Sequence, residues 1–588
     1  MPTLKSRSVA FACTAGLMAL TAVFACSSSN EGATSRCDGA ACVDDAAAPT
    51  TADGPADAPR DNSTMLDAAP DAADETFDAG TCPLRSPDAS AGDSGALRWA
   101  SSFGITKYTT ASRVAIDPAN DDIVVVGSFD GTADFGGGTA TAQGQNDIFV
   151  ARFDKSGATN KWAKTFSSGQ FPSADAVGIG PAGHVVVGGT MSSSLPGASL
   201  DFGCGALTGD ASDDVFVVDF DAGGNCVWSK RFSVNSSRGR LGSLAVDTKG
   251  NVFLSGPANQ ADFGGGPLAG YYLAKLTPTG AHVWSKGFAG VASAISESTV
   301  AVDSEGNSLF AGSFQGTADF GGGVVTSVES RTAFVAKYSP SGKYQWTKRF
   351  AAVPTVPASK VDSAITGIAV DGCGGAFVTG NFGRTTTTFG DHVNVAASID
   401  LGSGTLAAPD TASYYGFLAK LDAAGSGVWS KVIVASNTSG TGAGAMTSGS
   451  VAVDGAGRPT ITAFVSGDCA GHPSSSCVAA AGDQESVDFG AGPLTIAGDQ
   501  SFAIASFDAA GAYRWAYVGA APSTFRYAYA RGVAASKSSS SVVLVGRFGR
   551  APDVPTPINS LPGTTLDIAG TTLTASGAAD MFLASFTP

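Results

Sequence analysis

The sequence predicts an all-β fold, and three observations predict it. Charged residues make up only 15% of the 588, whereas glycine alone numbers 77. A chain so rich in turn formers and so poor in charge favours short strands over helices. All seven tryptophans, Trp99, Trp162, Trp228, Trp284, Trp346, Trp429 and Trp515, recur in a shared context, as in "KWAKTF", "VWSKRF" and "QWTKRF". Between successive tryptophans the same motifs return in the same order, and self-similarity at intervals of 56 to 86 residues marks a repeat array.

The N-terminal segment stands outside that repeat. "MPTLKSR" is a basic leader and "SVAFACTAGLMALTAVFA" an apolar run, so residues 1–25 read as a secretory signal peptide. The closing "VFAC" resembles the lipobox of bacterial lipoproteins, which implies acylation of Cys26 and attachment to a membrane. Residues 27–96 hold 14 acidic and 3 basic side chains, most of the formal charge of −16, among Ala, Pro and Ser with few large apolar groups. Such a stretch cannot offset the entropy of ordering its backbone. Residues 26–96 are therefore expected to form a disordered tether with the lipid anchor at its start.

From residue 97 each unit repeats four strand signals. The first strand ends in a motif such as "AIDPAND" at 115, "AVDTKGN" at 245, "AVDSEGN" at 301 or "AVDGAGR" at 452. Here Asp bonds to the backbone of its own turn and Gly takes a positive φ, which is hairpin chemistry. A second strand follows, as in "NVFLSG". A third, such as "FVARFD", "FVAKYS" or "FLAKLD", alternates with period two. A short "DKSG" or "PSG" turn then leads into the Trp strand. Four-stranded sheets repeated in this way read as propeller blades. The repeat opens at "LRWASSF", a Trp strand without a preceding partner, and stops at "MFLASFTP", a third strand without a following Trp. Pairing these halves would remove both open edges. The prediction for residues 97–588 is a seven-bladed β-propeller closed by pairing of its N- and C-terminal strands. The Trp strands would lie at the rim, wedged against neighbouring blades, and the AVD strands nearest the axis.

Between the second and third strands stands "DFGGG", within "GTADFGGG" at 131–138 and 316–323, with variants "DFGCG" at 201 and "DFGAG" at 488. A phosphate-binding loop would need a Lys and a following helix, and neither is present. The segment is expected to be structural: Phe135, Phe202, Phe263, Phe320 and Phe489 plug between blades while the Asp holds backbone donors of the turn. The combined pattern of AVDxxGN, DFGGG, FVAK and Trp resembles the bacterial β-propeller repeat family called SBBP over about residues 97–588. That resemblance implies an exported propeller and carries no catalytic residues.

The folded part is only mildly acidic and has no basic stripe, which argues against nucleic acid as a partner. His184 and His282 fall in turns, and His392 and His472 in long inserts, none at ligand spacing. No catalytic, cofactor-binding or metal residue is assigned, and no cofactor is expected. Export makes disulfides plausible. Their pairing is open, with Cys469–Cys477 the first choice and Cys37–Cys42 the second. Inserts at 384–415, 466–486 and 549–566 lengthen the later units, and loops on a rigid scaffold are where binding usually resides. The expectation is a monomeric lipoprotein of the cell envelope, at the outer membrane or outside the cell. It would be a scaffold binding a protein or glycan through the loops of blades five to seven. The alternative is an exported propeller enzyme, glycan-processing or quinoprotein-like. The first needs paired carboxylates. The second has a tryptophan motif, an adjacent-cysteine disulfide and calcium ligands that this sequence lacks.

Overall fold

The computed structural model describes residues 95–588 except 105, 145, 169–170, 193–195, 211–212, 237–239, 289–297, 329–330, 355–360, 384–396, 409–413, 438–444, 467–484, 497–499, 520–525, 539 and 551–563. The chain divides into Met1–Thr76 and Phe77–Pro588. The first of these, with the signal, Cys26 and most of the expected tether, lies outside the described residues. No helix among the described residues is long and apolar enough to cross a membrane.

The fold is all-β, and the sole helical turn among the described residues is the 3-10 turn Pro181–Gly183. Antiparallel four-stranded units follow one another. The first comprises Tyr108–Ile116, Ile123–Asp130, Asp147–Phe153 and Asn160–Phe166. The second comprises Phe171–Ile179, Val185–Ser192, Asp213–Phe220 and Cys226–Ser236. Equivalent sets begin at Ser243–Val246, Ser298–Val302, Asp362–Val370 and Ala445–Val453. In the last unit, Arg526–Ala535, Val542–Arg550 and Ala579–Phe586 take Leu97–Phe103 as the fourth strand, with Trp99 opposite Ser585 and Phe103 opposite Met581.

Two features go beyond the sequence reading. The third strands, whose period-two pattern distinguishes two faces, are buried on both: Asp147–Phe153 and Thr332–Tyr338 are buried at every position. Each sheet is covered on both sides by neighbours, so the alternation of large and small residues sorts side chains between two apolar layers rather than between core and water. The layers combine adjacent units. One joins Val186, Val215 and Val217 to Leu254, Phe263 and Tyr272. Another joins Val125, Phe135 and Phe149 to Val543, Val545 and Leu583 of the last unit. The second feature is an added hairpin. The segment carrying DFGGG folds into its own strand pair, Thr132–Asp134 with Thr139–Thr141 and Thr317–Asp319 with Val324–Thr326.

Repeated residues join unit to unit. The indole N–H of Trp162 donates to Ala222 O at 2.9 Å, that of Trp228 to Pro278 O at 2.8 Å and that of Trp284 to Pro340 O at 3.0 Å. Each acceptor lies in the third-to-fourth strand turn of the next unit. The ring also lies against that turn's glycine. A Cβ on Gly342, at φ +81°, would stand 2.9 Å from the Trp284 ring, so the close approach requires glycine twice over. The AVD aspartates are buried and paired with third-strand cations, Asp303 with Lys337 at 3.1 Å and Asp371 with Lys420 at 3.2 Å. Arg152 holds both Asp117 and Asp122 and donates onward to Gly183 O of the next unit at 2.9 Å.

Candidate functional site

The repeated polar groups are consumed by the fold. Asp134 Oδ1 accepts the backbone N–H of Gly136 at 2.7 Å and of Gly138 at 3.3 Å, and Asp319 treats Gly321 and Gly323 alike. Phe135, Phe202, Phe263, Phe320 and Phe489 are all buried. The same turn recurs at Asp400, where the sequence pattern hides it. Asp400 accepts from Gly402 and Gly404, with buried Leu401 in place of Phe, whereas in "LDIAGTTL" of the last unit a different turn stands in its place, Asp567 accepting from Gly570 three residues on, beside buried Ile568.

His184 Nδ1 lies 3.0 Å from Asp219, whose carboxyl is raised by burial. His282 Nε2 lies 3.1 Å from Ser285 Oγ. His392 and His472 lie outside the described residues, as do Cys469 and Cys477. The disulfide that is described was not anticipated: Cys204 joins Cys226 across 22 residues, linking the DFGCG turn to the start of the fourth strand of its own unit. Cys373 is also disulfide-bonded. Pairing between a turn and a distant strand start leaves no spacing signal in sequence, whereas two cysteines in one loop do. Among the described residues no group of three or more His, Cys, Asp and Glu could hold a metal ion. Of the long inserts, residues 384–396, 409–413, 467–484 and 551–563 lie outside the described residues.

The polar residues that do not repeat gather on the first strands, which pack against one another from unit to unit. Five of these strands carry a register shift at an equivalent place, between Ala111 and Arg113, Ala174 and Ala176, Ile365 and Gly367, Ser448 and Val451, and Ala530 and Gly532. A bulge re-aims the extra residue and often stands beside a functional site. The inserted residues are Ser112, Asp175, Thr366, Gly449 with Ser450, and Arg531. They link neighbours. Thr366 Oγ1 donates to Gly449 O at 3.2 Å, and Ser450 Oγ to Arg531 O at 3.3 Å. Arg113 Nη1 donates to the same Arg531 carbonyl at 3.1 Å.

Charge and aromatic rings concentrate at one part of this layer. Arg547 lies opposite Tyr529 in register, with its guanidinium 4.7 Å from the Tyr527 ring centroid and Nη1 3.4 Å from Thr110 Oγ1. Tyr529 stacks on Phe464 of the preceding unit at 4.6 Å. Arg531 has an exposed surface, yet its pKa is lowered, first by desolvation and then by Arg547 and Arg113. Burial pushes Tyr527 up to about 12. Asp175, bonded by Thr190 at 2.9 Å and Ser173 at 3.1 Å, is raised by desolvation to about 6 although Arg113 and Arg240 pull it down. Asp175 thus interacts with two guanidiniums, those of Arg113 and Arg240.

Sequence reasoning passed over this constellation. The signal was present in "RYAYARG" at 526–532, where two Tyr and two Arg occupy a first strand that in other units reads "SAITGIA" or "GSVAV".

No protein-family model and no curated protein matches the chain. Solved structures with which it shares distant likeness include a europium-containing methanol dehydrogenase (11% identity, covering 83% of this chain and 93% of that one, TM-score 0.33). A eukaryotic initiation factor gives 10% identity, coverage of 81% and 91% and a TM-score of 0.27. An apocarotenoid oxygenase variant from Synechocystis gives 13%, 53% and 59%, and 0.25. Likeness at this level carries no inference about activity.

Proposed function

We propose that residues 97–588 form a closed seven-bladed β-propeller that serves as a lipid-anchored binding scaffold of the cell envelope. Its ligand face is built around the loops of blades five to seven. The reading of closure is supported by contacts between the two ends of the repeat. Leu97–Phe103 pairs with Ala579–Phe586. Trp515 lies against Gly95, as Trp284 lies against Gly342. Ser538 and Ser540 of the last unit each donate to Asp121 of the first at 2.9 Å. Tyr108–Ile116 packs against both Phe171–Ile179 and Arg526–Ala535.

The single observation that carries the binding reading is where variation sits. Polar residues repeated in every unit are spent on turns and unit-to-unit bonds. Those that differ lie at the bulges of the first strands, in the first, second, fifth, sixth and last units. Tyr527 lies opposite Gly549, next to the end of the strand that runs into residues 551–563. A rigid ring with irregular loops at one end is a common platform for recognition. The SBBP-like repeat and the lipobox-like "VFAC" support export and anchoring at Cys26.

A glycan array and an envelope pull-down with the full chain, run beside a variant lacking residues 467–484, test this reading. A specific ligand held by the parent and lost by the deletion, at unchanged melting temperature, is the expected result. Equal binding by both overturns the loop face. Fractionation of Cys26→Ala checks the anchor, which predicts a shift from the membrane to the soluble fraction.

A further inference from the structure

We propose that Arg113, Arg531 and Arg547, with Tyr527, form a binding site for an oxyanion, a carboxylate, phosphate or sulfate carried on a small soluble ligand. The proposal rests on contacts between named strands and requires neither the lipid anchor nor the loop face.

The three guanidiniums come from three different strands. Arg113 reaches the Arg531 carbonyl at 3.1 Å, and a Cβ on Gly532 would stand 3.3 Å from Arg113 Cα, so the two backbones touch. Arg547 sits on the second strand of the last unit, opposite Tyr529 and two positions from the strand segment that carries Arg531. Gathering three cations on neighbouring strands is electrostatically costly unless something offsets it, and Arg547 and Arg113 both lower the pKa of Arg531. Asp175, whose carboxyl desolvation raises to about 6, is a counter-charge to Arg113 and Arg240.

Two polar atoms here lack hydrogen-bond partners among the described residues. Tyr527 is 2% exposed and its hydroxyl has no hydrogen-bond partner, and Arg547 Nε is likewise buried without one. A buried donor left unmade costs about 1–3 kcal/mol, so both are open positions for an acceptor. Oxyanions supply acceptors and negative charge together, and the planar guanidinium fork matches their geometry. The ring faces of Tyr527 and of the Phe464–Tyr529 stack flank the group and suit a small ligand with an apolar face beside its charge.

Calorimetric titration of the full chain at low salt with inorganic phosphate, sulfate, glucuronate and uncharged glucose tests the site. At least one oxyanion is expected to bind one-to-one while glucose does not. Arg531→Gln and Arg547→Gln should each weaken that oxyanion about tenfold, the loss of one charge-assisted bond. The Arg531 carbonyl that Arg113 and Ser450 use survives the first change, so its melting temperature should hold. Arg531→Lys, which keeps the charge and loses the fork, should recover part of the affinity. Asp175→Asn should tighten binding severalfold by removing the competing carboxylate. Silence from all three oxyanions, or an affinity equal to the parent's in both Gln variants, overturns the site. Phosphate binding retained by the variant lacking 467–484 would separate this site from the loop face.

Discussion

The turn-bearing end of the units and the bulged layer of the first strands use polar residues in opposite ways. At the turns, aspartate and cation recur at one position in unit after unit and satisfy each other: Asp303 with Lys337, Asp371 with Lys420, Asp117 with Arg152. In the bulged layer the equivalent residues are Ser112, Asp175, Thr366, Ser450 and Arg531, three neutral hydroxyls, one acid and one cation. Repetition marks what every unit needs for packing. Its loss at a fixed place marks what the whole molecule needs only once.

The comparison breaks first at the buried pairs. Lys337→Ala strands a buried carboxylate on Asp303 and is expected to cost about 3–5 kcal/mol in urea unfolding. A loss under about 1 kcal/mol would mean that the repeated pairs are not structural. Next comes Trp284→Ala. The indole is half-buried and its N–H bonds to Pro340 O, so the expected cost is about 2–4 kcal/mol, in the lower part of the range for a fully buried ring. An equal loss at Trp346, which reaches Ala423 O at 3.2 Å in the same manner, would sharpen the claim of equivalence.

The smallest effect has the opposite sign. Because the Asp175 pKa is raised to about 6, the folded state holds its proton more tightly than the unfolded chain does. Its contribution is therefore fully present below the unfolded value near 3.8 and is lost as pH rises through about 6. Asp175→Asn should flatten that slope and stabilise the protein at pH 7 by about 1–2 kcal/mol, a gain reduced by the partial access of water. Destabilisation at pH 7 would instead make Asp175 part of the packing machinery, like the turn aspartates.

Much of the architecture was legible because it is written in local chemistry. The DFGGG turns need only an acceptor and two glycines within five residues, and Asp134 and Asp319 use them as expected. The order of strands follows from hydrophobic runs and turn residues. The turn at Asp400 escaped notice because Leu401 fills the Phe position, and an apolar plug need not be aromatic. The Cys204–Cys226 bridge escaped because its two ends meet only after the hairpin has formed. The candidate site was the least legible. "RYAYARG" stands out among the first strands, but nothing in the chain says that Arg531 will meet Arg113, 418 residues away.

By itself the sequence determined the all-β class, the repeat, the turns and the residues that plug between sheets, since each depends on side chains a few positions apart. Only tertiary structure decided which polar groups converge. A bulge moves one residue to the other side of a strand, and strands from opposite ends of the chain then bring such residues together. Neither the shift nor the meeting has a periodicity that could be read in advance.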